Sequence, residues 1–413
     1  MNALTRADNI LLRIEELASC SEDPSCITRR LGSEAFIEAS SKISAWMKAA
    51  GLTTIKDNIG NVRGRWECSN PAAKTFVIGS HFDSVTDAGK FDGPLGIIMA
   101  IDYIENLMIK NITLPFHIEC IAFSDEEGVR FHTTYLGSKV LAGTFETNLL
   151  SKVDSAEITL AQTIKKMGGN IAGLSGDAMP VKDWFGYFEI HIEQGPVLYE
   201  KNIPVAIVTG IAAQKRIEVL FLGTAGHAGT VPMNMRHDAL CAAAECIVEI
   251  EAFAAIHMEK FVATIGMLTI PNSASNVIPG KVNISLDLRS IDEDILDKYS
   301  SRIKALLEQI CSKRNIGSEW KIIQESSSVN CDRKLNDQLK KAISANGFEV
   351  IELVSGAGHD AVAISKVAPV SMLFVRCFEG ISHNPLEHVE KKDIAAAILV
   401  GDSFLEILTG HSN

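Results

Sequence analysis

Histidines and acidic residues recur along this chain in short clusters that follow apolar runs. The first cluster is Gly79-Ser80-His81-Phe82-Asp83, and Asp92 follows it nine residues later. Comparable clusters occupy residues 125–128, 191–195, 226–229 and 382–385. Three imidazoles and several carboxylates at the ends of predicted strands are what a two-metal hydrolytic site requires. The pattern therefore predicts a binuclear metal hydrolase.

The first cluster also has simpler interpretations. An isolated His-x-Asp is more often a loop histidine with a local hydrogen bond than a metal ligand. Asp83 could hold the second ring nitrogen of His81, or the loop around it, as a residue supporting a ligand. Asp92 precedes Gly93 and Pro94 at the start of a predicted helix, so it could be an N-cap. A bridging carboxylate at a helix start could satisfy both roles.

The adjacent pair Glu126 and Glu127 is harder to explain as solvated loop charge, because it follows an apolar strand. In a hydrolase one glutamate would ligate metal and its neighbour would accept a proton from water. The residues alone do not decide which is the base. His191 and His383 are each more often structural, but together with His81 they supply enough nitrogen for two metal sites.

The composition narrows the class of protein. A chain of 413 residues suggests two domains, and 46% hydrophobic with 22% charged residues is typical of a soluble globular protein. The net charge of -12, with no useful basic cluster, argues against nucleic-acid binding. Nine cysteines without C-x-x-C spacing favour free thiols in a reducing compartment.

No targeting or membrane segment is predicted. Residues 1–20 resemble an amphipathic helix and lack the uninterrupted apolar region of a signal peptide. The apolar runs at 93–101 and 394–400 are too short to span a bilayer. We therefore expect a cytoplasmic protein that does not associate with membranes.

The order of predicted elements indicates a mostly parallel α/β core. A buried strand at 75–79, a helix at 93–107 and an apolar strand at 115–124 form a βαβ pattern, and ligands then belong at the carboxyl ends of the strands. From about residue 213 the order becomes βαββαβ, the ferredoxin-like α+β arrangement. We predict a catalytic domain of residues 1–212 plus 330–413, with an inserted domain of residues 213–329.

At this point the ordered motifs resemble a known family. They cover residues 79 to 390 and include the runs 79–84, 91–93, 125–131, 191–196, 226–233, 276–280, 287–289, 356–360 and 381–385. The set is similar to the M20-type metallopeptidase superfamily and, within it, to the hydantoinase/carbamoylase-type amidases. His191-Ile192-Glu193-Gln194-Gly195-Pro196, and Arg130-Phe131 after the two glutamates, separate this branch from the peptidases.

The resemblance implies two divalent ions per subunit, zinc or manganese, with five ligands: His81, Asp92, Glu127, His191 and His383. Asp92 would bridge the two ions. Glu126 would be the general base, and Asp83 would support the site.

The inserted domain would then be the family's lid and dimerisation domain, which implies a homodimer. His227 from this domain would stabilise the oxyanion, in the partner subunit's active site. The residues implied to contact substrate are Gln194, Arg216, Asn276, Arg289 and Gly358. Without the resemblance, Arg216 and Arg289 would be read as solvent-facing charges and Asn276 as a turn residue.

The members of this branch act on a ureido or carbamoyl group beside a carboxylate. The runs 127–134 and 226–233 look most similar to the enzymes that hydrolyse allantoate with release of ammonia and carbon dioxide, so allantoate is the first prediction. An N-carbamoyl-L-amino acid or N-carbamoyl-β-alanine is the alternative. An aminoacylase or dipeptidase, or a metal-binding scaffold without activity, is further from the pattern.

Overall fold

A computed structural model of the chain describes residues 1–410. The chain divides into two compact units. The first comprises Met1–Thr209 and the residues from Cys331 onward, and the inserted unit is Gly210–Asn330. These borders lie one to three residues from the predicted domain borders.

The elements of both units are numbered along the chain. The helices are α1 (Ala3–Ala18), α2 (Glu34–Ala49), α3 (Pro94–Ile109), α4 (Leu136–Leu141), α5 (Leu160–Lys166), α6 (Val197–Lys201), α7 (Ala239–Ile256), α8 (Glu293–Lys313), α9 (Arg333–Ala345), α10 (Ala361–Ile364) and α11 (Lys391–Thr409). The strands are β1 (Thr53–Lys56), β2 (Val62–Trp66), β3 (Thr75–His81), β4 (His117–Phe123), β5 (Trp184–Ile192), β6 (Val205–Ile211), β7 (Ala213–Leu222), β8 (Gly226–His227), β9 (Val262–Thr269), β10 (Val277–Ile278), β11 (Lys281–Ser290), β12 (Gly317–Ser326), β13 (Val329–Asn330), β14 (Glu352–Ser355) and β15 (Val370–Val375).

The large sheet has the strand order β1-β2-β4-β3-β5-β15-β6-β13, and β14 also pairs with β6. Its centre, from β4 through β3 and β5 to β15, is parallel, whereas the flanking pairs are antiparallel. The predicted mixed α/β fold with a largely parallel central sheet is confirmed. The sequence patterns did not reveal β6, an apolar strand that lies antiparallel to β15.

The central strands end together at one edge of this sheet. Every residue of β3 and β4 is buried, because helices cover both faces of a parallel sheet and leave no solvated side. Their register pairs His81 with Phe123, and that of β15 with β5 pairs Phe374 with His191. The loops that follow β3, β4, β5 and β15 therefore leave the sheet at the same edge.

The inserted unit contains a four-stranded antiparallel sheet with the order β12-β7-β11-β9. Along β11 the buried residues alternate with partly exposed ones, as expected for a strand with one face on a core. The buried face packs with α7 and α8 into a separate hydrophobic core. Asp287 and Arg289 alternate with the buried residues, so they lie on the face away from the helices.

Two further features concern the helices and the cysteines. Within residues 1–410, no helix combines the length and apolar character needed to cross a membrane. All nine cysteines are unpaired.

Candidate metal centre

Six side chains of the types that ligate metals lie together at the carboxyl edge of the parallel strands, and five of them are the predicted ligands. His81 ends β3, His191 lies near the end of β5, and Glu127 follows β4. Their ligand atoms fall into three groups, each within 4.8 Å: His81, Asp92 and His191; Asp92, Glu127 and His383; and His81, Glu126 and Glu127. Asp92 is common to the first two groups, which is the position a bridging carboxylate requires.

Asp92 is buried, and each of its carboxylate oxygens faces a histidine. Oδ1 lies 3.1 Å from Nε2 of His191, and Oδ2 lies 3.0 Å from Nε2 of His383. The cap position of α3 is occupied by Gly93, and no side chain caps this helix. Gly93 has a φ of +84°, and a Cβ there would come within 2.5 Å of the His81 carbonyl oxygen. The Asp92 side chain is therefore turned to the histidines and does not cap α3.

The two buried histidines on the strands have their Nδ1 atoms engaged by backbone carbonyls. Nδ1 of His191 lies 2.9 Å from the Ile192 oxygen, and Nδ1 of His81 lies 3.2 Å from the Asp83 oxygen. An Nδ1–H that donates to a carbonyl leaves a lone pair on Nε2. In both rings Nε2 faces Asp92, at 3.1 Å from His191 and 3.9 Å from His81. A lone pair directed at a carboxylate requires either a proton or a cation between them.

Asp83 connects the His81 loop to the two glutamates. Its carboxylate accepts the backbone N–H of Glu126 at 3.0 Å and that of Glu127 at 3.1 Å. One carboxylate oxygen also lies 3.7 Å from Nδ1 of His81. Asp83 is thus placed to fix the backbone of the acidic pair and the orientation of the first histidine.

The carboxylates of the site differ in protonation for identifiable reasons. Burial and the adjacent Glu127 raise the pKa of Glu126 well above its usual value. Burial beside Asp92 raises the pKa of Glu127 to about 8. Burial also opposes ionisation of Asp92, but hydrogen bonds from His191 and His383 outweigh it and hold its pKa well below the usual value.

The histidines show the reciprocal effect. Burial opposes protonation of His191, yet its hydrogen bond to Asp92 raises its pKa to about 9. The hydrogen bond to Asp92 likewise raises the pKa of His383 to about 9. The close nitrogen–carboxylate contacts around Asp92 therefore favour a positive charge at these positions. The histidine nitrogens and carboxylate oxygens form two groups that have Asp92 in common. Ligand atoms of these types fit zinc or manganese.

Gln194 joins the ligand cluster from the loop after β5. Its Nε2 donates to Asp92 Oδ1 at 3.1 Å and to Ser382 Oγ at 3.3 Å, and its buried Oε1 has no hydrogen-bond partner among the described residues. Gln194 and His383 both adopt left-handed backbone conformations, with φ of 56° and 52°. Such conformations are uncommon outside glycine and cluster at functional sites.

The loop that contains Gly358 also contains two buried residues, His359 and Asp360, to which the sequence analysis assigned no role. The ring of His359 packs edge-on against His191 at a centroid distance of 4.5 Å, and its Nε2 lies 2.7 Å from Ser355 Oγ. The next residue, Asp360, is fully buried, and burial raises its pKa well above the usual value. Both belong to a motif that supported the family resemblance, so the available signal was the motif itself.

The two arginines predicted to contact substrate, Arg216 and Arg289, lie together within the inserted unit. Asp287 accepts from Arg289 Nε at 2.7 Å and from Arg216 Nε at 3.3 Å. They line a hollow of about 560 Å³ on the sheet face away from the helices, with apolar walls that include Val262 and Met267. Because Asp287 contacts both guanidinium groups, it fixes their orientation and lowers their net charge to about one.

His227 and Asn276 form a separate pair in the same unit. His227 lies on β8 opposite Val277 of β10, and Ala228 N–H donates to the Asn276 carbonyl at 2.9 Å. The His227 ring accepts the Gly229 N–H at Nδ1 over 3.0 Å. Its Nε2 is therefore the ring nitrogen that carries the proton of the neutral form, and it is available as a donor.

Comparisons with known proteins show similarity over nearly the whole chain. The profile described as peptidase family M20/M25/M40 matches residues 74–406. An allantoate deiminase of Glycine max is 40% identical, over 97% of this chain and 89% of its own length. An N-carbamoyl-L-amino-acid amidohydrolase of Pseudomonas sp. (strain NS671) is 36% identical, over 94% of each. The crystal structure of a hydantoinase/carbamoylase family amidase from Burkholderia multivorans matches with a TM-score of 0.89 and 29% identity, over 98% of each chain.

Proposed function

This chain belongs to peptidase family M20/M25/M40. Within this family we propose that the protein is an amidohydrolase of ureido carboxylates and that its preferred substrate is allantoate. The resemblance predicted from the sequence motifs is confirmed at the level of the family and of its amidase branch. The bond cleaved is a non-peptide C–N bond, and the products from allantoate are ammonia, carbon dioxide and the remaining ureido compound.

The observation that carries the proposal is the arrangement around Asp92. His191 and His383 face its two oxygens at 3.1 and 3.0 Å, inside a pocket whose remaining carboxyls include the buried Glu126. This arrangement suits two divalent cations and a separate proton acceptor. When bound, such ions polarise a carbonyl group and lower the pKa of water.

The residues of the chain would then divide the remaining work. Glu126 is proposed to accept a proton from the attacking water and to deliver one to the departing nitrogen. Burial and the adjacent Glu127 raise its pKa, which makes Glu126 a stronger proton acceptor than an exposed glutamate. His227 is proposed to donate to the oxyanion through Nε2. Arg289 and Asn276 would hold the substrate carboxylate, and Arg216, Gln194 and Gly358 would make further contacts with the substrate.

The inserted unit is proposed to be a ferredoxin-like lid that also forms a homodimer. The order βαββαβ and the strand order β12-β7-β11-β9 support that fold. Exposed apolar residues on the edge strand β9 and on α7 support an interface, among them Met267 at 60% and Val248 at 62% exposure. Light scattering on the purified protein would report the mass, and a monomer at micromolar concentration would contradict the dimer.

Two finer points also remain proposals. A shell of histidine nitrogens and carboxylate oxygens suits zinc or manganese, so we propose two ions of one of these metals per subunit. The absence of disulfides among nine cysteines supports a reducing compartment, and we propose the cytoplasm.

The decisive experiment is a substrate panel with metal-loaded protein. Allantoate, an N-carbamoyl-L-amino acid, N-carbamoyl-β-alanine, ureidoglycolate, an N-acetyl amino acid and a dipeptide would be supplied with Mn²⁺ or Zn²⁺, and ammonia and amine release would be measured. Highest kcat/KM for allantoate is the expected result. Preference for the N-carbamoyl-L-amino acid would favour the second candidate, which the 36% identical relative supports. Cleavage of the dipeptide alone would refute both.

A further inference from the structure

We propose that Glu387 is a positioning residue that holds the two segments of the second metal subsite together, so that Asp92 and His383 can bind one ion. The proposal deepens the proposed function and rests on its metal centre. Glu387 lies four residues after His383 and is 3% exposed. None of the sequence motifs gave it a role.

Both oxygens of Glu387 are engaged with residues that flank metal ligands. Oε1 accepts the backbone N–H of Phe91 at 2.7 Å and that of Asp92 at 3.1 Å. Oε2 accepts the hydroxyl of Ser382 at 2.9 Å. One carboxylate therefore ties the backbone of Asp92 to the residue before His383.

The chain is shaped to admit this side chain. A Cβ at Gly89 would lie 2.3 Å from Glu387, so only glycine lets the loop before Asp92 approach so closely. The Glu387 N–H donates to the Asn384 carbonyl at 3.0 Å, which closes the turn after His383. The side chain thus starts from a fixed turn and reaches a loop almost 300 residues away in sequence.

The contacts predict an unequal effect on the two ions. The first group, with His81 and His191, depends on Glu387 only through the backbone of Asp92. The second group includes both Asp92 and His383, and Glu387 touches the segment of each. Loss of the carboxylate should therefore weaken the binding of the second ion more than the binding of the first. Removal of residues that orient metal ligands costs about 10- to 100-fold in affinity or activity.

The test is titration of metal-free protein with Mn²⁺, followed by calorimetry and by elemental analysis of bound metal. Glu387→Ala should bind the first ion within about threefold of wild type and the second at least about tenfold more weakly. Glu387→Gln should restore both affinities to within about threefold, because its amide oxygen can accept the two N–H groups and its amide nitrogen can donate to Ser382.

Two further variants keep the result interpretable if Glu387→Ala folds poorly. Ser382→Ala removes the contact with Glu387 Oε2, together with the hydroxyl that accepts from Gln194, and should weaken binding of the second ion alone, by a smaller factor. Asp238→Ala, in the inserted unit, removes a carboxylate that also accepts two backbone N–H groups, at 2.9 and 3.1 Å, and should leave both metal affinities unchanged. Thermal unfolding in the presence of a chelator would compare the folding of all variants.

The proposal would be overturned if Glu387→Ala weakened the binding of both ions equally, or if it kept wild-type affinity for both. It would also be overturned if Glu387→Gln bound metal as weakly as Glu387→Ala. The readout does not depend on the substrate. A wild-type protein that binds two ions but cleaves no ureido compound would refute the proposed reaction, while the metal titrations would still decide the role of Glu387.

Discussion

Replacement of Glu126 by glutamine removes the proposed proton acceptor while keeping the shape of the side chain. The backbone contacts of this residue should survive, because its N–H donates to Asp83 and its carbonyl accepts from Tyr135. General-base catalysis contributes roughly 10²- to 10⁴-fold to the rate. The Glu126→Gln variant should therefore lose about 3–5 kcal/mol of transition-state stabilisation in kcat, at about 1.4 kcal/mol for each tenfold.

The matched variant is Glu127→Gln, which changes the neighbouring carboxylate. Glu127 shares a ligand group with Asp92 and His383, so this variant should bind one ion fewer or bind the second far more weakly. Glu126→Gln should keep two ions. The assay combines metal analysis with the ammonia-release rate under saturating substrate. More than about a tenth of the wild-type kcat in Glu126→Gln, or loss of an ion from it, would refute the assignment of the two glutamates.

The stability of the metal-free protein gives a second test of Glu126, in which the Glu126→Gln variant is compared with wild type. Because burial raises the folded-state pKa of Glu126 above the unfolded value of 4.5, the folded state holds a proton that the unfolded state releases. Its contribution to the free energy of unfolding therefore falls as pH rises above that value. Glutamine does not ionise. Without metal, Glu126→Gln should melt at a higher temperature than wild type at pH near 8, and the difference should shrink toward pH 4.5. A lower melting temperature at both pH values would contradict this electrostatic account.

Two further predictions concern metal affinity and substrate affinity. Since the pKa of Glu127 is about 8 and those of His191 and His383 are about 9, these groups must lose protons when a cation binds. Apparent Mn²⁺ affinity should rise from about pH 6 to about pH 9 and then level off, with proton release detectable by calorimetry in buffers of different ionisation enthalpy; a flat profile would contradict this. Arg289→Ala should raise KM by roughly 10- to 100-fold, because a hydrogen bond to a charged group is worth about 1.5–3 kcal/mol. Arg302→Ala, an exposed arginine on α8 of the same unit, should not change KM, and an unchanged KM in Arg289→Ala would remove that residue from the carboxylate site.

Parallel topology made much of the candidate site predictable from the sequence. An apolar run that ends in a histidine or an acidic pair places that residue at the carboxyl edge of a buried strand, and neighbouring parallel strands share this edge. His81 and His191 follow this rule directly, since they lie at or next to the last residues of β3 and β5. The positions of these residues at the ends of predicted strands were thus enough to predict that they lie close together, without knowledge of any particular contact.

Prediction was weaker where a position depends on contacts between distant segments. The apolar run 205–211 is a strand because it pairs with β15, more than 160 residues later, and periodicity does not report such a partner. His359 is similar, because its contact with His191 depends on how the loop after β14 folds over the sheet edge. Neither feature has a local signature beyond apolar or motif residues.

Asp92 shows how local and distant constraints combine. In the sequence, an aspartate before Gly-Pro and a helix has a sufficient local explanation as a cap, so its neighbours alone do not separate that role from a metal bridge. In the structure the glycine takes the cap position, and the side chain of Asp92 turns toward His191 and His383. Pro94 has no backbone N–H, and the N–H groups of Leu95 and Gly96 donate to the carbonyls of Phe91 and Gly93, both at 3.0 Å. Because these backbone contacts satisfy the first turn of α3, the Asp92 side chain does not have to cap the helix. Glu387 accepts the backbone N–H of Asp92, and both oxygens of the Asp92 side chain remain available for cations.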